Sequence, residues 1–198
     1  MTVAPVPGPR LSGPRLPRSG VLGVVLAGGQ SRRFGSDKAL AELGGRTLID
    51  RAVAQLAHQC DAVVVAGRDA APAMTVPDRP HAGMGPLGGL CGALHPAAAR
   101  GFDAVLSVPV DGFDLPGDLL GELSPGPAHC AAAPVIGLWP VAARDALDGL
   151  LATGEARAHS MRAFAALVGA RAISLSKLPF NINTPADLAA AKGLHHGL

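Results

Sequence analysis

Apolar positions along this chain fall into short runs of two kinds, and the two kinds alternate. Unbroken runs of small or branched apolar residues occur at Val21–Ala27, Ala62–Ala66, Ala104–Val108, Ala132–Leu138 and Ala172–Leu175, with the length and composition of buried strands. Helical stretches lie between and after them, at Thr47–His58, Leu87–Leu94, Pro116–Leu123, Arg144–Leu151, Met161–Val168 and Pro185–Lys192. In the first of these Leu48, Ala52, Gln55 and Leu56 follow a helical period. Pro185 suits the first turn of a helix, with Thr184 as its N-cap. The alternation predicts a three-layer, Rossmann-like α/β fold with a mainly parallel, mixed sheet and helices on both faces. Ligands in such sheets bind beyond the C-terminal ends of the strands. Segments 27–38, 66–69 and 109–114 all follow predicted strands, so they are expected to converge on one edge.

Composition bounds this picture. The 198 residues can bury one full core, so residues 21–198 read as one domain. Residues 1–20 hold Pro5, Pro7, Pro9, Pro14 and Pro17 with Arg10, Arg15 and Arg18, and no apolar stretch of the kind a secretory signal needs. They are expected to form an extended, disordered tail, with a basic docking arm as the alternative. A net charge of +2 is too small to argue for nucleic acid, and the absence of Tyr beside five Phe and one Trp leaves no base-stacking platform. Gly, Pro or charge interrupts every apolar run before it reaches the length of a membrane span. Cys60, Cys91 and Cys130 are widely spaced and form no Cys-x-x-Cys pair, which argues against zinc and for small core residues in a reducing cytoplasm. His195 and His196 read as a frayed C-terminal tail.

The chemistry concentrates where the first strand ends. Gly23-Val-Val-Leu-Ala-Gly-Gly-Gln-Ser-Arg-Arg-Phe-Gly-Ser-Asp-Lys38 brings an apolar run into Gly28 and Gly29, then Arg32, Arg33, Gly35 and Lys38. Without Cβ atoms, the glycine pair lets backbone N–H groups approach a ligand closely. The basic residues add the positive charge that a polyphosphate also requires. Two other glycine motifs are excluded. Ser36 and Asp37 separate Gly35 from Lys38, so there is no Walker loop, and the glycine spacing is not that of the dinucleotide fingerprint. Asp111 lies just past a predicted strand, in Val108-Pro109-Val110-Asp111-Gly112, where a lone carboxylate suits Mg²⁺ shared with phosphate oxygens. If Asn181 to Asn183 is extended, both amides point to one face, where they complete a metal site, bind a polar substrate or simply end a strand. The stretch Asp78–Leu90 carries Gly83, Gly85, Gly88 and Gly89, which let backbone come close to a base or sugar, and Asp78 is placed to accept from a purine amino group.

Together these residues resemble a known signature. Leu26-Ala27-Gly28-Gly29-x-Ser31-x-Arg33-Phe34-Gly35-x-Asp37-Lys38-Ala39-Leu40 is similar to that of the molybdenum cofactor guanylyltransferases, within the wider nucleotidyltransferase superfamily. Gly85-Pro86-Leu87-Gly88-Gly89-Leu90, Pro109-Val110-Asp111 and Asn181-Ile182-Asn183-Thr184-Pro185 agree in order and spacing, and Pro134–Trp139 resembles the family's substrate-side strand. The resemblance implies a nucleotidyltransferase fold over about residues 21–193 and GMP transfer from GTP to molybdenum-carrying molybdopterin, with Mg²⁺ required and pyrophosphate released. It implies that Leu26, Ala27, Gly28, Gly29 and Gly85 contact the nucleotide and Asp78 the nucleoside. Lys38 would contact the phosphates, Asp111 the metal, and Asn181 would be a second metal ligand, with Lys38, Asp111 and Arg33 as the catalytic set. Asn181, Asn183 and Arg157 would face the acceptor, Arg157 and Arg162 being read equally as exposed helix charges. Molybdoenzyme maturation proteins are the further partners implied, and the alternatives are a cytidylyl or sugar-phosphate nucleotidyltransferase of the same fold or a non-catalytic nucleotide-binding maturation partner. The Leu-Ala-Gly-Gly and Gly-Pro-Leu pair is the guanine type; cytidylyl relatives tend to carry Leu-Ala-Ala-Gly. Four positions depart from the family: Val110 replaces a usual Cys, Phe113 a Pro, and Ala133 a His or Gln, while Val65-Ala66-Gly67-Arg68 lacks an expected nucleotide-contacting Asn.

Overall fold

Val21–Leu26 forms β1, and five of its six residues are buried because other strands flank it on both sides. The computed structural model describes residues 20–29, 34, 37–153, 159–177 and 180–195. Within them the further strands are β2 (Glu42–Leu43), β3 (Arg46–Thr47), β4 (Ala62–Ala66), β5 (Met74–Val76), β6 (Ala104–Pro109), β7 (Gly112–Phe113), β8 (Ala128–Cys130), β9 (Gly137–Pro140), β10 (Arg171–Ile173) and β11 (Phe180–Asn181). The helices are α1 (Leu48–Ala57), α2 (Gly85–Ala99), α3 (Leu119–Leu123), α4 (Arg144–Ala152), α5 (Met161–Leu167) and α6 (Pro185–His195). Seven strands make the main sheet in the order β10-β8-β9-β6-β1-β4-β5, in which β9 alone runs against its neighbours. The mainly parallel, mixed sheet expected from the alternating pattern is therefore present.

Side chains of β1 separate by parity, as strand geometry requires. Leu22, Val24 and Leu26 join Leu87, Leu90 and Leu94 of α2, together with Trp139 and Phe164, in one core. Val25 and Ala27 join Ile49 and Leu56 of α1, with Leu106 and Val108, in the core on the opposite face. Each fully buried Leu or Val contributes on the order of 1.5–3 kcal/mol relative to exposure, so the two faces hold the sheet from both sides. Trp139, the chain's lone Trp, is fully buried and donates from Nε1 to Ser107 Oγ at 2.9 Å; Ser107 in turn donates to the Val135 carbonyl at 2.7 Å. A third, smaller core of Leu43, Leu48, Ile182 and Ala191 lies under β11 and α6.

The structure moves several predicted boundaries. Of the run expected as one strand at Ala132–Leu138, residues 132–136 form the turn between two antiparallel strands, β8 and β9, and only Gly137 and Leu138 belong to β9. Pro134 cannot donate to a ladder, and the turn closes with Cys130 N donating to Ile136 O at 2.8 Å. The strand expected at Ala172–Leu175 is β10, ending at Ile173. α2 begins two residues before the predicted Leu87 and passes through Pro96 to Ala99, because Ala97 is still buried in the core. α3 begins at Leu119 rather than Pro116, since the Asp118 side chain caps it by accepting from Gly121 N at 3.0 Å. The short strands β2, β3, β5, β7 and β11 carry no pattern that marks them in the sequence. Thr184 caps α6 as expected, accepting from Asp187 N at 3.2 Å. Among the described residues no helix is long and apolar enough to cross a membrane. Residues 1–19 of the expected tail and His196 lie outside the described residues.

Candidate active site

Parallel register brings three strand ends to one level. Leu26 pairs with both Ala66 and Pro109, so the segments that follow β1, β4 and β6 leave the sheet side by side. Two backbone bonds continue this alignment past the strands: Ala27 N donates to Ala66 O at 2.9 Å, and Val110 N donates to Leu26 O at 3.1 Å. The cavity above them is lined by Leu26, Ala27, Gly28 and Gly29 from the first segment and Pro109, Val110 and Asp111 from the third. Asp37, Lys38, Asp78, Val135 and the N-terminal turn of α2 complete the wall. Leu26, Ala27, Gly28, Gly29, Lys38, Asp78, Gly85 and Asp111, chosen from the sequence, thus share one cavity.

Close backbone approach explains two glycines. At Gly67 φ is +82°, and a Cβ there would collide with the backbone of Gly28. Gly67 thereby lets the two strand-end loops touch. At Gly89 a Cβ would stand 2.8 Å from Leu26 Cδ2 and 3.0 Å from Ala66 Cβ, so glycine allows the start of α2 to lie directly on the strand ends. Among the described residues, nothing lies within 4 Å of where a Gly29 Cβ would be.

The polar groups meet in pairs. Lys38 Nζ stands 2.5 Å from Asp111 Oδ2, with the two side chains only 14% and 19% exposed, and donates to Asn183 Oδ1 at 3.3 Å. Lys38 opens a single 3-10 turn, Lys38–Leu40, whose cap is the Asp37 side chain, accepting from Ala39 N at 3.2 Å. Arg68 grips the same carboxylate at two points, Nη1 to Oδ1 at 2.9 Å and Nη2 to Oδ2 at 2.5 Å. That hydrogen bonding holds the Asp37 carboxyl below its ordinary range, against the opposing effect of burial. Asp78 is half-buried and accepts from Gly83 N at 3.2 Å. The N-terminus of the fifteen-residue α2 adds the positive end of its dipole to the cavity wall. A site with the Lys38 ammonium, a glycine loop and a helix N-terminus is suited to anionic phosphates, and Asp111 offers hard carboxylate oxygen to a cation.

The C-terminal residues arrive differently. β11 pairs antiparallel with β7, matching Asn181 to Gly112, and Ile182 N donates to Asp111 O at 3.1 Å. Asn181 and Asn183 are both exposed, and Asn183 is the one that reaches Lys38. Asp187 Oδ2 accepts from Asn183 N at 2.9 Å and Thr184 N at 2.8 Å, which keeps its carboxyl below the usual range. Arg162 is exposed on α5, while Arg33 and Arg157 lie outside the described residues. Asp37 and Arg68 are the residues that sequence reasoning missed as site components. Asp37 sits beside Lys38 in the motif, and Arg68 lies in the 66–69 segment already expected at this edge.

Away from the cavity, Asp148 Oδ1 accepts from Cys91 Sγ at 3.1 Å and lies 3.0 Å from His95 Nε2, tying α2 to α4. These three donor atoms lie within 4.8 Å of one another, and the Arg79 guanidinium stands beside Cys91 and Asp148 as a countercharge. Burial pushes the Cys91 thiol up to about 12, and the adjacent Asp148 adds to this. Cys130 is also buried and Cys60 is half-buried.

Comparison with known proteins agrees over nearly the whole described chain. Residues 23–173 match the family described as the MobA-like NTP transferase domain. A molybdenum cofactor guanylyltransferase from Acidiphilium cryptum is 42% identical over 85% of this chain and 92% of its own length. One from Cereibacter sphaeroides is 40% identical over 88% of this chain and 96% of its own. Among solved structures, molybdopterin-guanine dinucleotide biosynthesis protein A from Archaeoglobus fulgidus is similar in fold, with a TM-score of 0.64 and 23% identity over 89% of this chain and all of the other.

Proposed function

The chain belongs to the MobA-like NTP transferase family, and on that premise we propose that it transfers GMP from GTP to molybdenum-loaded molybdopterin, giving the guanine dinucleotide form of that cofactor and pyrophosphate. One observation carries the reading: Lys38 and Asp111, far apart in sequence, are paired at 2.5 Å on a cavity whose other walls are a glycine loop and a helix N-terminus. In this reading the terminal phosphate of the acceptor attacks the α-phosphorus of GTP in line, and the bond to the β-phosphate oxygen breaks. A phosphate nucleophile is already ionised at neutral pH, so no side chain need act as general base. The protein's task is to hold two anions that repel each other and to stabilise the charge that builds on the leaving pyrophosphate.

Lys38 and the N–H groups of Gly28 and Gly29 do the second of these. Asp78 and the start of α2 hold the nucleoside, and Asn183 and Asn181 face the acceptor. Asp111, with amide oxygen from Asn181, would hold Mg²⁺; hard oxygen donors of this kind, shared with phosphates and water, fit that ion. When bound, it supplies further charge neutralisation between the phosphates. Such a biosynthetic step belongs in the cytoplasm, where molybdoenzyme maturation proteins would receive the product.

The test is pyrophosphate release from GTP, with CTP in parallel, in the presence of Mg²⁺ and with or without molybdenum-loaded molybdopterin. Acceptor-dependent release from GTP is expected. Release from CTP instead overturns the base assignment, and nucleotide binding with no release from either overturns the reaction.

A further inference from the structure

The turn that carries Lys38 is anchored on one side by its own packing. Ala39 is 2% exposed, Ala41 N donates to Lys38 O at 3.0 Å, and Leu48 N donates to Ala41 O at 3.0 Å. On its other side stands Asp37, and Asp37 is held by Arg68, thirty-one residues away at the end of β4. We propose that Arg68 is a positioning residue for the transfer: by gripping Asp37 at two points it fixes the Lys38 turn to the end of β4 and aims Lys38 at the reacting phosphates. The inference rests on the reading of Lys38 given under Proposed function.

Three features support it. Asp37 Oδ1 serves twice, accepting from Arg68 Nη1 at 2.9 Å and from Ala39 N at 3.2 Å, so the grip and the cap of the turn are one structure. Arg68 directly follows Gly67, whose positive φ and contact with Gly28 fix where the loop after β4 stands relative to the glycine loop. The grip therefore ties the lysine turn to the same frame as the phosphate-facing amides. Thirdly, the buried Nε of Arg68 has no hydrogen-bond partner among the described residues. An unpaired buried donor costs stability, so hydrogen-bond satisfaction is not what best accounts for an arginine here. A planar, two-point fork on a carboxylate is what lysine cannot reproduce.

Because Arg68 is argued to act through Lys38, the experiment is a double-mutant cycle between the two. Wild type, Arg68→Ala, Lys38→Ala and the double variant are compared in steady-state pyrophosphate release, and in equilibrium binding of a fluorescent GTP analogue without acceptor. Arg68→Ala should lower turnover about 10- to 100-fold and weaken nucleotide binding by about threefold. Both effects should vanish in the Lys38→Ala background. Arg68→Lys keeps the charge without the fork and should remain well below wild-type turnover with an unchanged unfolding midpoint, which separates positioning from folding should Arg68→Ala not fold. An Arg68→Ala loss of equal size with and without Lys38 overturns the proposal, as does wild-type turnover in Arg68→Lys. If the wild-type protein binds GTP but releases no pyrophosphate, the proposed reaction fails while the binding cycle still decides the role of Arg68.

Discussion

The two sides of the cavity are built to different standards. On the side proposed to hold the nucleotide, site residues leave the ends of β1, β4 and β6, five- and six-residue strands buried in the middle of a seven-stranded sheet. On the other side, Asn181 and Asn183 sit on and just after β11, a two-residue strand paired with the two-residue β7. Beneath that pair lies a small core whose buried members among the described residues are Leu43, Leu48, Ile182 and Ala191. Sheet register fixes the first group collectively, whereas the second depends on a few contacts. Precision in this site is therefore expected where charge must be neutralised, and tolerance where the acceptor is received.

The strongest test of that contrast compares one residue from each side. Asp111→Asn keeps the side-chain shape and removes the charge that pairs with Lys38; it should lower turnover about 10²–10³-fold, the usual loss for one preorganised electrostatic group. Asn183→Ala removes an exposed amide whose contact with Lys38 is 3.3 Å and should cost about tenfold or less. Unfolding midpoints close to wild type would assign both losses to chemistry. Equal losses would mean that the acceptor side is held as tightly as the nucleotide side.

A second comparison separates glycines that build the site from those that serve it. Gly67→Ala forces a Cβ into the backbone of Gly28 at φ +82°. Left-handed strain and overpacking together should destabilise by about 2–4 kcal/mol in a urea titration. Gly29→Ala meets no described atom within 4 Å, so stability should stay within about 1 kcal/mol while nucleotide affinity falls through the crowded approach to its N–H. Loss of stability in Gly29→Ala would show that this loop is packed rather than open.

The same contrast governs what could be read from the sequence. Leu26 to Gly29, Lys38, Asp78, Gly85 and Asp111 were legible because buried strands leave apolar runs in the chain, followed by glycines and charged residues whose order resembles a known family's motifs. β9 was misplaced at Ala132–Leu138 because an apolar turn around Pro134 looks like a strand when only hydrophobicity is counted. β7 and β11 are too short to show any period, and what holds them, the packing of Ile182 against Leu43 and Leu48, joins residues about 140 positions apart. Arg68 was passed over for a related reason. A single charge in a loop is ordinary, and its meaning depends on Asp37 standing opposite, which only the fold decides.

The smallest effect is the most discriminating. Ile182 is fully buried in the small core, and its N–H donates to the Asp111 carbonyl at 3.1 Å. Ile182→Val deletes one methylene and should cost about 1 kcal/mol. If the small core opens on its own, that cost is local: amide exchange in α6 should quicken about fivefold while β1 amides keep wild-type protection. Asn183 would then be presented less often, raising the acceptor KM and leaving nucleotide affinity unchanged. If instead β1 and α6 lose protection together, the two sides form one cooperative unit. The tolerance of the acceptor side would then have to come from the exposure of its asparagines rather than from looser support beneath them.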